Sequence, residues 1–224
     1  MTANDDSLHA ADPVVEDAGD AQGKPLDVGA RKRPKPGERR VQILEALASM
    51  LEQPGAERVT TAALAARLGV SEAALYRHFA SKAQMFEGLI EFIEQSVFSL
   101  VNQLSEREPD AVARCRKLVT LLLQFGERNP GMARVMVGDA LVFENDRLQQ
   151  RMNLFFDKIE ASLRQDLREA AAQAGSVAPT VDAQASASVV CAFCVGRLQR
   201  FARSGFKRLP SESLEHSLAV LLPH

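Results

Sequence analysis

The sequence has no tryptophan, one tyrosine, three cysteines and four histidines among its 224 residues. Cys191 and Cys194 form the one close cysteine pair, and no second pair or histidine cluster accompanies them to complete a zinc site. We interpret them as small core residues. A nucleophile-elbow serine pattern, a phosphate-binding Gly-rich loop and a metalloprotease histidine pair are also missing. These absences argue against an enzyme and against a bound metal or cofactor.

Long hydrophobic runs are also missing, because no uninterrupted apolar stretch approaches the roughly 20 residues that a membrane span requires. The first residues, MTANDDSLHAADPVVEDAGD, are acidic where a signal peptide would be basic and then apolar. A hydrophobic content of 46% is enough for a buried core. We therefore expect a cytoplasmic protein without a membrane span that folds unaided.

The charge is unevenly distributed along the chain. Residues 1–30 carry seven acidic side chains against one lysine, whereas residues 31–82 carry ten Lys or Arg against five Asp or Glu. Residues 1–37 show no apolar periodicity, which predicts a disordered acidic tail that ends in a basic run, RKRPKPGERR. This run is either a solvated tail or a segment placed to reach a polyanion, and the sequence leaves both open.

From Arg39 onward, apolar residues recur at intervals of three and four, which predicts an all-α protein without a strand candidate. The predicted helices cover residues 38–53, 61–68, 72–79, 82–104, 110–128, a short segment after Pro130, 145–174, 181–203 and 211–222. The predicted domains are the tail (1–37), a helix-turn-helix domain (38–84) and a larger helical domain for dimerisation and partner binding (85–224).

The short predicted helices begin with residues that can accept hydrogen bonds from free backbone amides. Thr60 and Ser71 occupy such N-cap positions, and Ser81 with Gln84 three residues later has the pattern of a capping box. Gly69 follows the second predicted helix, where a positive φ can end it. A helix, a Gly-containing turn and a second helix in a basic setting are typical of a helix-turn-helix.

The segment SEAALYRHF, residues 71–79, contains the only tyrosine beside an arginine and a histidine. On a helical wheel, Leu75 and Phe79 point together into the domain. The opposite face and its edges carry Ala73, Ala74, Tyr76 and Arg77. Two alanines keep a helix thin enough to enter the DNA major groove, and an arginine can bind guanine or a phosphate there.

Tyr76 and His78 flank this face, and both can donate hydrogen bonds to phosphate oxygens, as can Lys82. Taken singly, Tyr76 could instead be a half-buried core aromatic and His78 a packing residue. Taken together, the spacing favours a DNA-binding set. Its members are Thr60, Thr61, Ser71, Ala73, Ala74, Tyr76, Arg77, His78 and Lys82.

The run RVTTAALAARLGVSEAALYRHFASKAQMF resembles the helix-turn-helix of the TetR family of bacterial regulators. The resemblance implies an all-helical homodimer with an N-terminal three-helix DNA-binding domain whose third helix reads the major groove. It also implies that Tyr76, His78 and Lys82 hold phosphates. Because one helix reads few base pairs, two helices about 34 Å apart in a dimer predict a nearly palindromic DNA site.

Further segments, including LLLQFGERNPGMARVMVGDALVFENDRLQQRMNLFFDKIEASLRQDLRE and AFCVGRLQRFARSGFK, resemble one branch of this family. The branch implies a nucleoid-associated, DNA-activated antagonist of FtsZ, the tubulin-like protein of the division ring, that prevents septum assembly over unsegregated chromosome. The FtsZ-binding residues implied are Phe92, Leu121, Arg128 and Asn129. From the residues alone, Leu121 reads as core and Arg128 and Asn129 read as a plain helix end before Pro130.

The sequence leaves two questions open: the class of regulator and the location of the dimer interface. The protein is either an interaction protein of the kind described or a repressor controlled by an apolar ligand held among helices four to seven. The phenylalanine-rich stripe of helix seven could line such a pocket, although such stripes more often form core. Helix eight, joined by the last helix, is the predicted dimer interface, unless its small residues are intramolecular core. They are Ala183, Ala187, Val190, Cys194 and Gly196.

Overall fold

Helices account for all regular secondary structure in the described part of the computed structural model, residues 37–53 and 59–222. They are α1 (Glu38–Leu51), α2 (Thr61–Leu68), α3 (Glu72–Tyr76), α4 (Lys82–Arg107), α5 (Ala111–Arg128), α6 (Pro130–Met136), a 3-10 turn (Asp139–Leu141), α7 (Asp146–Gln173), α8 (Pro179–Arg203) and α9 (Leu214–Leu221). The all-α prediction is confirmed. The predicted acidic tail lies outside the described residues, except for Gly37.

The starts of the short helices follow the predicted capping pattern. The hydroxyls of Thr60, Ser71 and Ser81 each accept a hydrogen bond from the amide three residues later, at 3.2–3.3 Å. The capping box differs from the usual pattern in one bond. The side-chain oxygen of Gln84 accepts from the amide of Ala80 at 2.8 Å rather than from that of the N-cap residue, Ser81. These bonds satisfy amides that have no partner within their own helix.

The third helix is shorter than the predicted span of residues 72–79, because α3 ends at Tyr76. The amide of His78 donates to the carbonyl of Leu75 at 2.9 Å, so the last turn tightens to an i to i+3 bond. Phe79 then enters the core, where it is fully buried. His78 therefore lies in the turn between α3 and α4 and not on the helix that carries Tyr76.

The apolar stripe of α7 is core. The stripe comprises Leu148, Met152, Phe155, Phe156, Ile159, Leu163 and Leu167, all buried except the partly buried Phe156. The ring of Phe155 lies 5.3 Å from that of Phe98 on α4 and 5.1 Å from that of Phe156, measured between centroids. These contacts support the core interpretation of the stripe over the pocket interpretation.

The prediction that the small residues of α8 contact a second subunit is wrong for four of the five. Ala183, Ala187, Val190 and Cys194 are buried within the chain itself, where α8 packs along α7 in the most extensive helix pair of the described residues. Their small volumes allow close packing of α7 and not of a partner. The fifth residue, Gly196, is not buried, and a Cβ atom there would have no other atom of the chain within 4 Å.

By length and composition, α8 is the one helix among the described residues that is long and apolar enough to cross a membrane. Eight of its residues are nevertheless buried within the chain. A core helix of a helical domain has the same composition, because it must be apolar toward its neighbours. We therefore describe α8 as a helix with one face in the core of the chain.

The N-terminal helices contact the rest of the protein mainly through α1, which packs against α4 and α6. The approach is closest at Gly131 in the first turn of α6, where a Cβ atom would lie 2.1 Å from the carbonyl oxygen of Ala48. Contacts group the described residues into one unit, and α4 runs through the predicted domain boundary after residue 84. That boundary stays a prediction.

Candidate nucleic-acid interface

The outer face of α3 is exposed as its sequence predicts. Leu75 is buried on the inner side, whereas Ala73 and Tyr76 are exposed, the latter to 44%. Arg77 and His78 follow on the same exposed surface, and Ala74 is half-buried. The phenol of Tyr76 is thus not a core aromatic, and a slim helix with polar edges faces outward.

The hydroxyls at the starts of α2 and α3 are not equivalent. Those of Thr60 and Ser71 accept amide bonds, which leaves their protons free to donate to a phosphate. The hydroxyl of Thr61 instead donates to the carboxylate of Glu72 at 2.5 Å and joins α2 to α3. A phosphate has no proton to offer, so the hydroxyl of Thr61 can donate to one only by giving up this bond.

Arg40 supports the turn that follows α3, and sequence reasoning missed this role. Its guanidinium donates to the carbonyl of His78 at 2.5 Å and lies 4.1 Å from the ring centroid of Phe79. The residue ends the basic run RKRPKPGERR and lies within α1, as the predicted helix over residues 38–53 requires. The sequence could have indicated this role, because Arg40 lies one turn before Leu44 in the predicted helix and therefore on the same side of it.

Lys82 lies at the start of α4, and its ammonium group forms an ion pair with Glu144 from the turn before α7. The same group lies 5.6 Å from the ring centroid of Phe86. Its side chain keeps 26% exposure, so donors remain available to an outside anion. Sequence reasoning found Lys82 but not its acidic partner.

The four residues implied as a partner surface lie together on the outer side of α4 and α5. Leu121, Arg128 and Asn129 line a groove of about 580 Å³, which we call the α4–α5 groove. Phe92 is 47% exposed, and its ring centroid lies 6.5 Å from that of Phe125, another groove residue. The helical positions thus bring all four residues to one surface.

The α4–α5 groove combines an apolar floor with a cationic edge. The floor includes Leu100, Leu121 and Phe125, and Arg116 and Arg128 lie along the edge. The side-chain amide of Asn129 donates to the carbonyl of Phe125 at 2.8 Å, so it also caps the end of α5. Such a groove is suited to an extended segment with apolar and acidic side chains.

The outward face of α8 carries small and apolar side chains that are exposed in the single chain. They are Val181, Ala185, Ser188, Val189 and Ala192. Val220 on α9 is exposed to 86%. Exposed apolar side chains on two helices that contact each other, α8 and α9, are typical of a subunit interface.

The cysteines are free thiols within the core. Burial raises the pKa of Cys115 to about 12 and that of Cys191 to about 11, and it also raises the pKa of Cys194. Near neutral pH these thiols are therefore protonated and are poor nucleophiles. Among the described residues, no group of three or more His, Cys, Asp or Glu side chains is placed to hold a metal ion.

Two family models match the chain. Residues 43–89 match the model of bacterial regulatory proteins of the tetR family, and residues 109–223 match the SlmA-like model of a tetracyclin repressor-like C-terminal domain. The chain is 52% identical over 187 residues to the nucleoid occlusion factor SlmA of Escherichia coli (strain K12 / DH10B), covering 83% of this chain and 94% of that protein. The same values hold for SlmA of Shigella boydii serotype 18.

Solved structures share the fold at low sequence identity. The fatty acid degradation regulator FadR from Bacillus halodurans superposes with a TM-score of 0.67 at 14% identity, over 83% of this chain and 95% of that one. AibR in complex with isovaleryl coenzyme A and operator DNA gives 0.63 at 19%, over 83% and 98%. The relatives are regulators, and this chain belongs to the TetR family of bacterial regulatory proteins, with an SlmA-like C-terminal domain.

Proposed function

We propose that this protein is a nucleoid occlusion factor: a dimer that binds chromosomal DNA and, when bound, antagonises assembly of FtsZ over the nucleoid. The observation that carries the proposal is the placement of Phe92, Leu121, Arg128 and Asn129 on one surface of a chain that also presents an exposed α3. A repressor needs only the exposed α3. A DNA-bound antagonist of a polymerising protein needs the exposed α3 and a second surface for that protein.

Basic side chains near α3 can bind the phosphates of DNA. His78 and Lys82 lie in the turn after α3 and at the start of α4, where they can hold phosphates beside the groove that receives α3. Ala73 and Ala74 allow α3 to approach base edges closely, and their methyl groups can contact thymine methyls. Arg77 is then the side chain best placed to distinguish sequences.

A dimer doubles this recognition. The exposed stripe of α8 and the neighbouring α9 form the proposed interface between two copies, because burying this stripe removes apolar surface from water. Two α3 helices about one turn of DNA apart would read a nearly palindromic site. In the cell this protein would be cytoplasmic and associated with the nucleoid.

The α4–α5 groove is the proposed FtsZ site. Its floor of Leu121 and Phe125 can bury apolar side chains, and Arg116 and Arg128 can pair with acidic ones. One member of each surface lies on the same continuous helix, since Lys82 starts α4 and Phe92 follows on it. DNA binding can therefore change the presentation of the groove or bring several dimers together along a duplex.

Sedimentation of FtsZ polymers tests the proposal directly. Purified protein is added to polymerising FtsZ with no DNA, with a duplex selected for specific binding, or with a scrambled duplex of equal length. We expect the specific duplex to increase association with FtsZ and to reduce the pelleted polymer. Absence of both effects with DNA-loaded protein would favour a ligand-controlled repressor.

A further inference from the structure

Glu144 is the acidic partner of the residue that we place against a DNA phosphate. It lies between the 3-10 turn and α7, where its amide donates to the carbonyl of Leu141 at 2.9 Å. Its side chain is only 9% exposed, whereas that of Lys82 is 26% exposed. The side chain of Glu144 is thus more deeply buried than that of the lysine with which it pairs.

Two further ion pairs join α4 to α7. Arg147 pairs with Glu87 at 2.6 Å, and Arg151 pairs with Glu94 through two bonds, at 2.6 and 3.2 Å. In both pairs α4 supplies the acid and α7 supplies the base. In the Lys82–Glu144 pair the roles are reversed. Here α4 supplies the base, from its first residue, and the acid comes from the segment just before α7.

We propose that Glu144 competes with DNA phosphate for Lys82 and thereby lowers the affinity of this protein for all DNA. The inference rests on the proposed DNA-binding function and adds an affinity determinant outside the three N-terminal helices. A phosphate that approaches Lys82 meets the field of an ion pair rather than that of a free cation. Its attraction is weaker because the carboxylate cancels much of the charge.

Binding also has a cost on the protein side. If Lys82 turns fully toward a phosphate, the carboxylate of Glu144 loses its one partner among the described contacts while it remains largely buried. If Lys82 stays shared between both anions, two negative groups lie within a few ångströms of each other. Either arrangement makes DNA binding weaker than it would be with a neutral side chain at position 144.

Glu144→Gln separates charge from geometry, because glutamine keeps an oxygen that can accept from Lys82. Binding is measured by fluorescence anisotropy with a labelled duplex of random sequence, since a phosphate contact acts equally on all sequences. We expect affinity to rise about three- to tenfold at low salt, which is the range of one modest charge interaction. The dependence of log K on log salt should steepen, by at most about one unit per subunit of the dimer.

Glu94→Gln is the matched control, since it removes a carboxylate from a similar α4–α7 ion pair. Position 94 lies about 18 Å along the helix from position 82. This exceeds the screening length of about 10 Å in 0.1 M salt. We expect its DNA affinity to equal that of the wild-type protein.

Two more variants keep the test decisive. Glu144→Ala should also bind DNA more tightly, and in a Lys82→Ala background the gain from Glu144→Gln should shrink. Thermal unfolding of each variant reports whether the fold is intact. Wild-type protein that binds the duplex, together with a folded Glu144→Gln variant whose affinity is unchanged or lower, would overturn the role of Glu144 alone. Failure of the wild-type protein to bind any duplex would overturn the proposed function as well.

Discussion

The outer face of α3 and the α4–α5 groove differ in how their side chains are engaged within the chain. On α3 the side chains of Tyr76 and Arg77 are exposed, and the alanines between the polar groups leave room for another surface. In the groove, Leu121 and Asn129 are only partly exposed, and Asn129 already caps α5. The first surface is convex, and the second is a groove.

This difference matches the two kinds of partner that we propose. A protruding, polar-edged helix suits a regular polyanion whose grooves have fixed dimensions. A concave surface with an apolar floor suits a peptide segment. Since α4 begins beside the first surface and runs along the second, a single helix connects them. Because the two surfaces have no residue in common, changes confined to one surface should leave the direct binding of the other partner intact.

The largest expected effect is the loss of DNA binding in Ala73→Glu. A carboxylate on the exposed face of α3 would meet the phosphates and base edges of the groove. We expect at least a hundredfold loss of duplex affinity, about 3 kcal/mol, measured by anisotropy. Ala161→Glu, at an exposed alanine of α7, is the control and should bind normally. Normal binding by Ala73→Glu would remove α3 from the DNA interface.

Gly131→Ala should damage the support of both surfaces at once. The new Cβ would lie 2.1 Å from the carbonyl oxygen of Ala48, so α1 and α6 must separate. We expect the free energy of unfolding to fall by about 1–3 kcal/mol in urea denaturation. Gly196→Ala meets open space on α8 and should change stability by less than about 1 kcal/mol, in the stabilising direction. Equal stabilities of the two variants would contradict this packing.

Leu121→Ala should break the second surface and spare the first. Its side chain is partly exposed at the floor of the α4–α5 groove, so the fold should tolerate truncation. We expect about a tenfold loss of FtsZ affinity, as at an interface hot spot, with unchanged DNA affinity. Leu154→Ala, at an exposed leucine of α7, is the control. Parallel losses of DNA and FtsZ binding would show that the surfaces are not separable.

The smallest expected effect distinguishes phosphate contacts from base contacts within the proposed DNA-binding surface. Lys82→Ala should weaken binding to all duplexes about equally, by about three- to tenfold per subunit, and flatten the salt slope by about one unit per subunit, because each subunit of the dimer loses one phosphate contact. Arg77→Ala should instead relax sequence preference. Comparison of a selected duplex with a scrambled one measures both. A sequence-dependent loss in Lys82→Ala would contradict its assignment to phosphate.

Much of the N-terminal region was predictable because its determinants are local. The caps at Thr60, Ser71 and Ser81 and the left-handed Gly69 involve partners within five residues, so spacing alone identifies them. The inward direction of Leu75 follows in the same way from helical periodicity. The DNA-contact and FtsZ-contact roles stay predictions, although the exposure of α3 and the common groove are consistent with them.

The errors arose where distant contacts decide the outcome. The small residues of α8 were read as a subunit contact, yet α7 covers them, and a sequence pattern cannot distinguish an internal neighbour from an external one. The end of α3 depends on how Phe79 enters the core. Arg40 and Glu144 lie 38 and 62 residues from the groups that they bind, and no spacing rule relates them.

By itself, the sequence determined the helical class, the starts of the short helices and the side of α3 that faces outward, because these depend on hydrogen bonds and periodicity within a few residues. Tertiary structure alone decided which face of α8 is free, how Phe92 and Leu121 come to share a surface, and which acid pairs with Lys82. Those outcomes depend on the packing of helices that are far apart along the chain, where shape and charge must be satisfied together.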